Sequence, residues 1–174
     1  GPGGISIPSL DGQDHRDYRK TISDRYSQAS VAELENDIRE LTRDELEPTL
    51  KSGRLDIHEI SRKLALYTIA DMIGLDREVA VEARRLIDIF YERDPNIIGT
   101  TPRGHEAFGR CMELMLDMAT KWRNDTPSSP SHVNAWINER VRDDTWMTDE
   151  QIMGNTSMLI ITGSDTVPFN IANL

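Results

Sequence analysis

His15 and Arg19 stand four residues apart in DGQDHRDYRKTISDRYS (11–27), so a helix would set an imidazole and a guanidinium on one face. Arginine forks suit bidentate binding of oxyanions, and the pair reads as a cationic clamp for a carboxylate or phosphate. Read for packing alone, the same residues are a solvated helix face or form local ion pairs with Asp11 and Asp14. A second group lies in TDEQIMGNTSMLIITGSDTVPFNIANL (148–174). There Gly163, Ser164, Asp165, Thr166 and Pro168 crowd small and polar residues into an apolar run. Proline has no N–H, so the carbonyl of Ser164 one turn back loses its helical partner, and Gly163 weakens the same turn. The expectation is a kink that holds a free carbonyl, a carboxylate and a hydroxyl within one turn. The packing alternative is specific too. Thr166 would bond the carbonyl of Thr162, Gly163 would admit a neighbouring helix, and Asp165 would reach a buried arginine.

The rest of the chain limits what these groups can do. Its 174 residues fit one ordinary domain with a real core. A net charge of −10 and a pI near 4.8 exclude the basic face of a nucleic-acid binder. The single cysteine, Cys111, excludes an internal disulfide and any multi-cysteine metal site. Sitting beside Met112 and Met115, it reads as a buried thiol. His15, His58, His105 and His132 are scattered and form no metal-binding pair, and neither a phosphate-binding loop nor a nucleophile elbow is present. No apolar run is long enough for a membrane span, and no secretory signal stands out. A cytoplasmic location is expected. Two prolines and three glycines make residues 1–10 read as a loop, in which Gly1-Pro2 could be a cloning remnant, and 11–174 as the domain.

Caps and periodicity place the groups on helices. After the 11–27 segment, Ser30 and Glu33 form a capping-box pattern that starts a helix closed by Pro48 and Gly53. A nearly all-apolar central helix runs from about Asp56 to Ile73 and stops at Gly74. Asp76 caps a third helix, which Asp94-Pro95 ends, with Val79, Ala83, Leu86, Ile87 and Phe90 facing inward. Thr101-Pro102 starts a long amphipathic helix that carries Phe108, Met112, Met115, Ala119 and Trp122. Residues 125–131 form a turn-rich connector, Val133 to Val141 a short helix, and Thr148 with Gln151 the cap of the last. No segment alternates as a strand. The fold class is all-α.

With these elements in order, the chain resembles a cytochrome P450 of the soluble bacterial type. TGSDT (162–166) looks like the family's oxygen-binding I-helix motif, and DGQDHRDYRK (11–20) like its C-helix. LDIHEISRKLALYTIADMIGL (55–75) is similar to the E-helix, and the helices over 76–93 and 102–124 match the F and G lid helices. The resemblance implies the middle portion of that fold, helices C to I. It also implies a parent haem-thiolate monooxygenase that uses O2 to hydroxylate or epoxidise a small apolar molecule. His15 and Arg19 would bind the propionates of heme (iron protoporphyrin IX). Thr162, Gly163 and Ser164 would line the oxygen site, the Ser164 carbonyl holding a water, while Asp165 and Thr166 relay protons. Arg16, Lys20 and Arg25 would form part of a basic docking face for an acidic, ferredoxin-type electron donor.

Two departures qualify the match. Thr162 stands where the family more often has alanine, and Pro168 is not the commonest choice after the threonine. The family's ExxR helix and its cysteine loop, which supplies the iron ligand, are not within these 174 residues, and Cys111 in FGRCMEL lacks that loop's glycines. The chain alone is therefore expected to be inactive. The competing reading is a haem-free P450-like scaffold that acts as an interaction or activating partner of another enzyme.

Overall fold

In the computed structural model, which describes residues 6–173, seven α-helices follow one another. They are α1 (Gly12–Ser23), α2 (Gln28–Ser52), α3 (Ile57–Ile73), α4 (Arg77–Tyr91), α5 (Pro102–Asn124), α6 (His132–Asn138) and α7 (Asp149–Ala172). No strand occurs among the described residues beyond an isolated bridge between Arg142 and Thr145. The all-α expectation holds. No helix among them is long and apolar enough to cross a membrane.

Most boundaries follow from local chemistry. Asp56 accepts the Glu59 N–H, Thr101 the Gly104 N–H, and Thr148 with Gln151 closes a capping box. At the end of α3, Gly74 adopts φ 88°, and a Cβ there would stand 2.7 Å from the Ser131 hydroxyl. Both the left-handed backbone and the close approach demand glycine.

Four boundaries differ from expectation. The cap of α2 is Ser27, which accepts the Ser30 N–H, because the Ser30 hydroxyl is turned back to the Asp24 carbonyl. Pro48 lies inside α2 rather than closing it, and Gly53, at φ 68°, makes the stop. Val141 lies past α6, in a turn fixed by the Val141 N–H to Thr145 carbonyl bond (2.8 Å) and the Thr145 N–H to Arg142 carbonyl bond (2.7 Å). Within the expected N-terminal loop, Ile7–Ser9 forms a 3-10 turn whose Ile7 is buried and whose Ile7 N–H donates to Asn155 Oδ1 (2.8 Å); residues 1–5 lie outside the described residues.

Helix α7 is the centre of the molecule, packed along α3 and flanked by α4 and α5. Ile69, Ile73, Leu86, Ile87, Met115, Trp122, Ile152 and Ile160 meet there in one core. The close approach of α3 to α7 depends on Gly163, where a Cβ would lie 2.8 Å from Ile69 Cγ1 and 3.1 Å from its Cβ. Gly163→Ala gains about 1 kcal/mol in helix propensity but over-packs the seam by about 1–3 kcal/mol. We expect a net loss on thermal unfolding that shrinks in an Ile69→Val background; a stabilised Gly163→Ala protein would contradict the tight seam.

Candidate functional site

α1 and α7 meet across an open cavity of about 540 Å³ lined by His15, Arg19, Ile22, Tyr26, Trp136, Asn155, Met158 and Leu159, with Ile7, Pro8 and Ser23 at its edge. No carboxylate lines it, although the chain carries 30 acidic residues. His15 is half-buried and Arg19 exposed, and neither side chain has a hydrogen-bond or ion-pair partner among the described residues. The expected alternative of ion pairs with Asp11 and Asp14 does not form. Asp14 instead pairs with Arg142 (2.7 Å). Two unpaired nitrogen donors beside apolar walls have the chemistry to hold an anion with an apolar body.

Of α7, Asn155, Met158 and Leu159 line the cavity, and the second group, 162–166, lies one turn and more beyond them. Met158, Thr162 and Thr166 follow at four-residue spacing, so they share one side of α7 over about 12 Å of helix. Thr162 and Thr166 are exposed, whereas Ser164 is buried. Helix α7 runs unbroken through Pro168, and the expected kink does not interrupt it. Side-chain hydroxyls instead follow one another along its carbonyls. Ser157 donates to Met153 (2.8 Å), Thr162 to Met158 (2.9 Å), Ser164 to Ile160 (2.5 Å) and Thr166 to Thr162 (3.1 Å). Each hydroxyl oxygen keeps lone pairs for a second partner.

Asp165 faces the other way, toward α4. Arg84 Nη2 lies 3.1 Å from Asp165 Oδ1, and Arg84 Nη1 donates to the Ser164 hydroxyl at 3.1 Å. The same guanidinium holds Asp88 (2.5 Å), which Arg62 of α3 grips from its other oxygen (2.6 Å). Two cations and two carboxylates thus balance across α3, α4 and α7. The Arg84 side chain is only 11% exposed and Asp165 44%, so the arginine is fixed and the carboxylate still reaches water. All three packing expectations for this turn are met: the Thr166 bond, the Gly163 seam and the arginine under Asp165. Arg84 was not named from sequence. Its signal was a charge set among the inward-facing Ala80, Ala83 and Ile87 of α4.

The remaining candidates separate. Cys111 is fully buried between α5 and α4, its thiol 3.9 Å from the Ala83 carbonyl, and burial pushes its pKa up to about 11. It is a protonated core thiol and does not face the cavity. Of the basic residues on α1 and after it, Arg16 is exposed and bonded to Gln13, and Lys20 is exposed. Arg25 instead lines a larger groove of about 930 Å³ with Glu33, Asp37, Asp71 and Asp76. That groove is the roomier one, but its carboxylates make it a poor anion site. Sequence reasoning also missed Trp136, which is fully buried at the cavity wall.

No protein-family model matches the chain. Its curated relatives are cytochromes P450. The Mycobacterium tuberculosis protein designated cytochrome P450 123 is 22% identical over 170 residues, which are 97% of this chain and 42% of that protein. Cytochrome P450(BM-1) of Priestia megaterium is 24% identical over 176 residues, 97% of this chain and 41% of the relative. Among solved structures, P450BioI in complex with an acyl carrier protein ligated to hexadec-9Z-enoic acid superposes with a TM-score of 0.80. Its identity is 16%, over 97% of this chain and 43% of that one. Mycobacterium marinum CYP268A2, in complex with pseudoionone, gives 0.74 at 21% identity, over 98% and 42%. The chain spans about 42% of the length of the relatives it matches.

Proposed function

We propose, for a chain that carries the middle of the cytochrome P450 fold, that it forms the propionate-binding and proton-delivering side of a haem-thiolate monooxygenase. One observation carries the reading. His15 and Arg19 are unpaired in a carboxylate-free cavity walled by Met158 of α7, one and two turns before Thr162 and Thr166 on the same side of that helix. The cavity fits the acid edge of haem: two nitrogen donors face it, and Ile22, Met158, Leu159 and Trp136 offer apolar wall. The iron's ligand is a different matter, since Cys111 is buried elsewhere and protonated.

When bound, haem supplies the oxygen chemistry by which one atom of O2 enters a C–H or C=C bond. The chain's own residues do the rest. His15 and Arg19 hold the propionates by charge-assisted bonds. The Asp165 carboxylate, anchored on Arg84 and half open to water, takes up protons from solvent. Thr166 Oγ1, once its proton turns from the Thr162 carbonyl, donates at an oxygen site beside Thr162, with Gly163 and Ser164 contributing backbone alone, since Gly163 packs on Ile69 and the Ser164 side chain is held by Arg84. Helices α4 and α5 lid a small apolar substrate, in keeping with the hexadecenoyl and pseudoionone complexes of the structural neighbours. Electrons come from an acidic ferredoxin-type donor at a basic face including Arg16, Lys20 and Arg25, and association weakens as salt rises.

The decisive experiment is spectroscopic. The intact protein, reduced and bound to carbon monoxide, should show the Soret band that gives the cytochromes P450 their name. His15→Ala and Arg19→Ala should each weaken haem retention by roughly 10- to 100-fold, the worth of a bond to a charged group. Well-folded intact protein that takes up no haem would refute the proposal and leave the haem-free scaffold as the reading.

A further inference from the structure

Helix α1 has few apolar anchors, since only Tyr18, Thr21 and Ile22 are buried, and burial alone fixes its rotation weakly. Polar ties from the segment between α6 and α7 and from the first turn of α7 do it instead. Arg142 Nη1 meets Asp14 Oδ1 at 2.7 Å and Asp17 Oδ2 at 3.4 Å, and Gln151 Nε2 donates to the Tyr18 hydroxyl at 2.9 Å. Asp14, Asp17 and Tyr18 are spaced i, i+3, i+4 and share one face, while His15, Arg19 and Ile22, at i, i+4, i+7, share the next. Gripping the first face turns the second into the cavity.

Arg142 is itself held. Its turn is anchored by Val141, buried before it, and Met147, buried after it, and is closed by the two backbone bonds between 141–142 and Thr145. Asp143 adopts φ 40°, a left-handed conformation that a non-glycine residue keeps only where its surroundings fix it. The guanidinium also neutralises Asp14, the residue directly before His15, so that this carboxylate does not compete for the clamp. Arg142 does not line the cavity.

We infer that Arg142 is a positioning residue for the acid-binding pair His15 and Arg19, acting through Asp14 and Asp17. The inference rests on the proposed reading of that pair. It predicts that loss of Arg142 weakens binding of an acid-bearing ligand and leaves binding of the same ligand without its acids unchanged.

The test uses the intact protein, stripped of haem, and two probes, iron protoporphyrin IX and its dimethyl ester, titrated by Soret absorbance. Arg142→Ala should weaken binding of the free acid by about tenfold and leave the ester within twofold, and Arg142→Lys should recover most of the loss. Arg142 is about half exposed, so the variants should keep the wild-type circular dichroism. Equal losses for both probes would reduce Arg142 to a structural tie, and no loss for either would remove it altogether; both overturn the inference. His15→Ala and Arg19→Ala in the same titration separate the two levels. If they fail to discriminate acid from ester, the reading of the pair itself fails. If they discriminate and Arg142→Ala does not, the inference about Arg142 alone falls.

Discussion

Asp165→Asn in the intact protein is expected to lower product formation by about 10²-fold or more, the scale of a lost proton-transfer group. Thr166→Ala should leave electron consumption running while product falls away from it. Magnitudes separate this from a packing role. Asp165 is 44% exposed, so its pair with Arg84 is worth about 0–1 kcal/mol to stability. A carboxylate kept only for that pair would cost little on amidation, since the asparagine oxygen still accepts from Arg84. Product formation and electron uptake measured together, with a melting curve for each variant, give the answer. Wild-type coupling in Thr166→Ala, or wild-type turnover in Asp165→Asn, would return this turn to packing alone.

The largest expected effect on stability belongs to Trp136. Truncation to alanine removes a fully buried indole from α6, which packs on α1, α3 and α5, at a cost of about 3–5 kcal/mol. For a domain of this size that is roughly 6–20 °C in Tm. Trp136→Phe should cost much less, because the indole N–H is buried without a partner and no bond is lost with it. Beside it His132 is also fully buried. Its Nδ1–H donates to the Met72 carbonyl (2.6 Å), which leaves Nε2 to accept the Tyr26 hydroxyl (3.0 Å). An alanine at 136 would open a void next to this fixed ring, which has no room to relax. Thermal unfolding of the two variants side by side tests the assignment; equal losses would mean that the N–H has a partner.

Much of this architecture could be read from residue order because it is local. The caps at Asp56, Thr101 and Thr148 and the stop at Gly74 each depend on residues within four positions. The errors came where two local solutions compete. Ser27 and Ser30 are both good caps, and a bond from the Ser30 hydroxyl to the Asp24 carbonyl decides between them. Pro48 reads as a stop, yet it removes one backbone donor near the end of an exposed 25-residue helix, which the structure absorbs. The clamp face of His15 and Arg19 was legible from its spacing. What holds it was not: Arg142 lies 125 residues from Asp17, and Arg84 lies 81 from Asp165. Pairings of that span depend on packing, and no periodicity announces them.

The run of hydroxyls along α7 has a mechanical meaning. In an ordinary helix, opening a turn strands carbonyls, each at the cost of a lost bond. Here Met153, Met158, Ile160 and Thr162 each have a second donor already in place from a serine or threonine one turn on. At Ser164, where Pro168 offers no N–H, the backbone starts one bond short. Thr162 and Ser164 lie within that same stretch. The helix is thus a rod with a pre-softened segment, unbroken at rest and cheap to open at the turn where Asp165 and Thr166 sit.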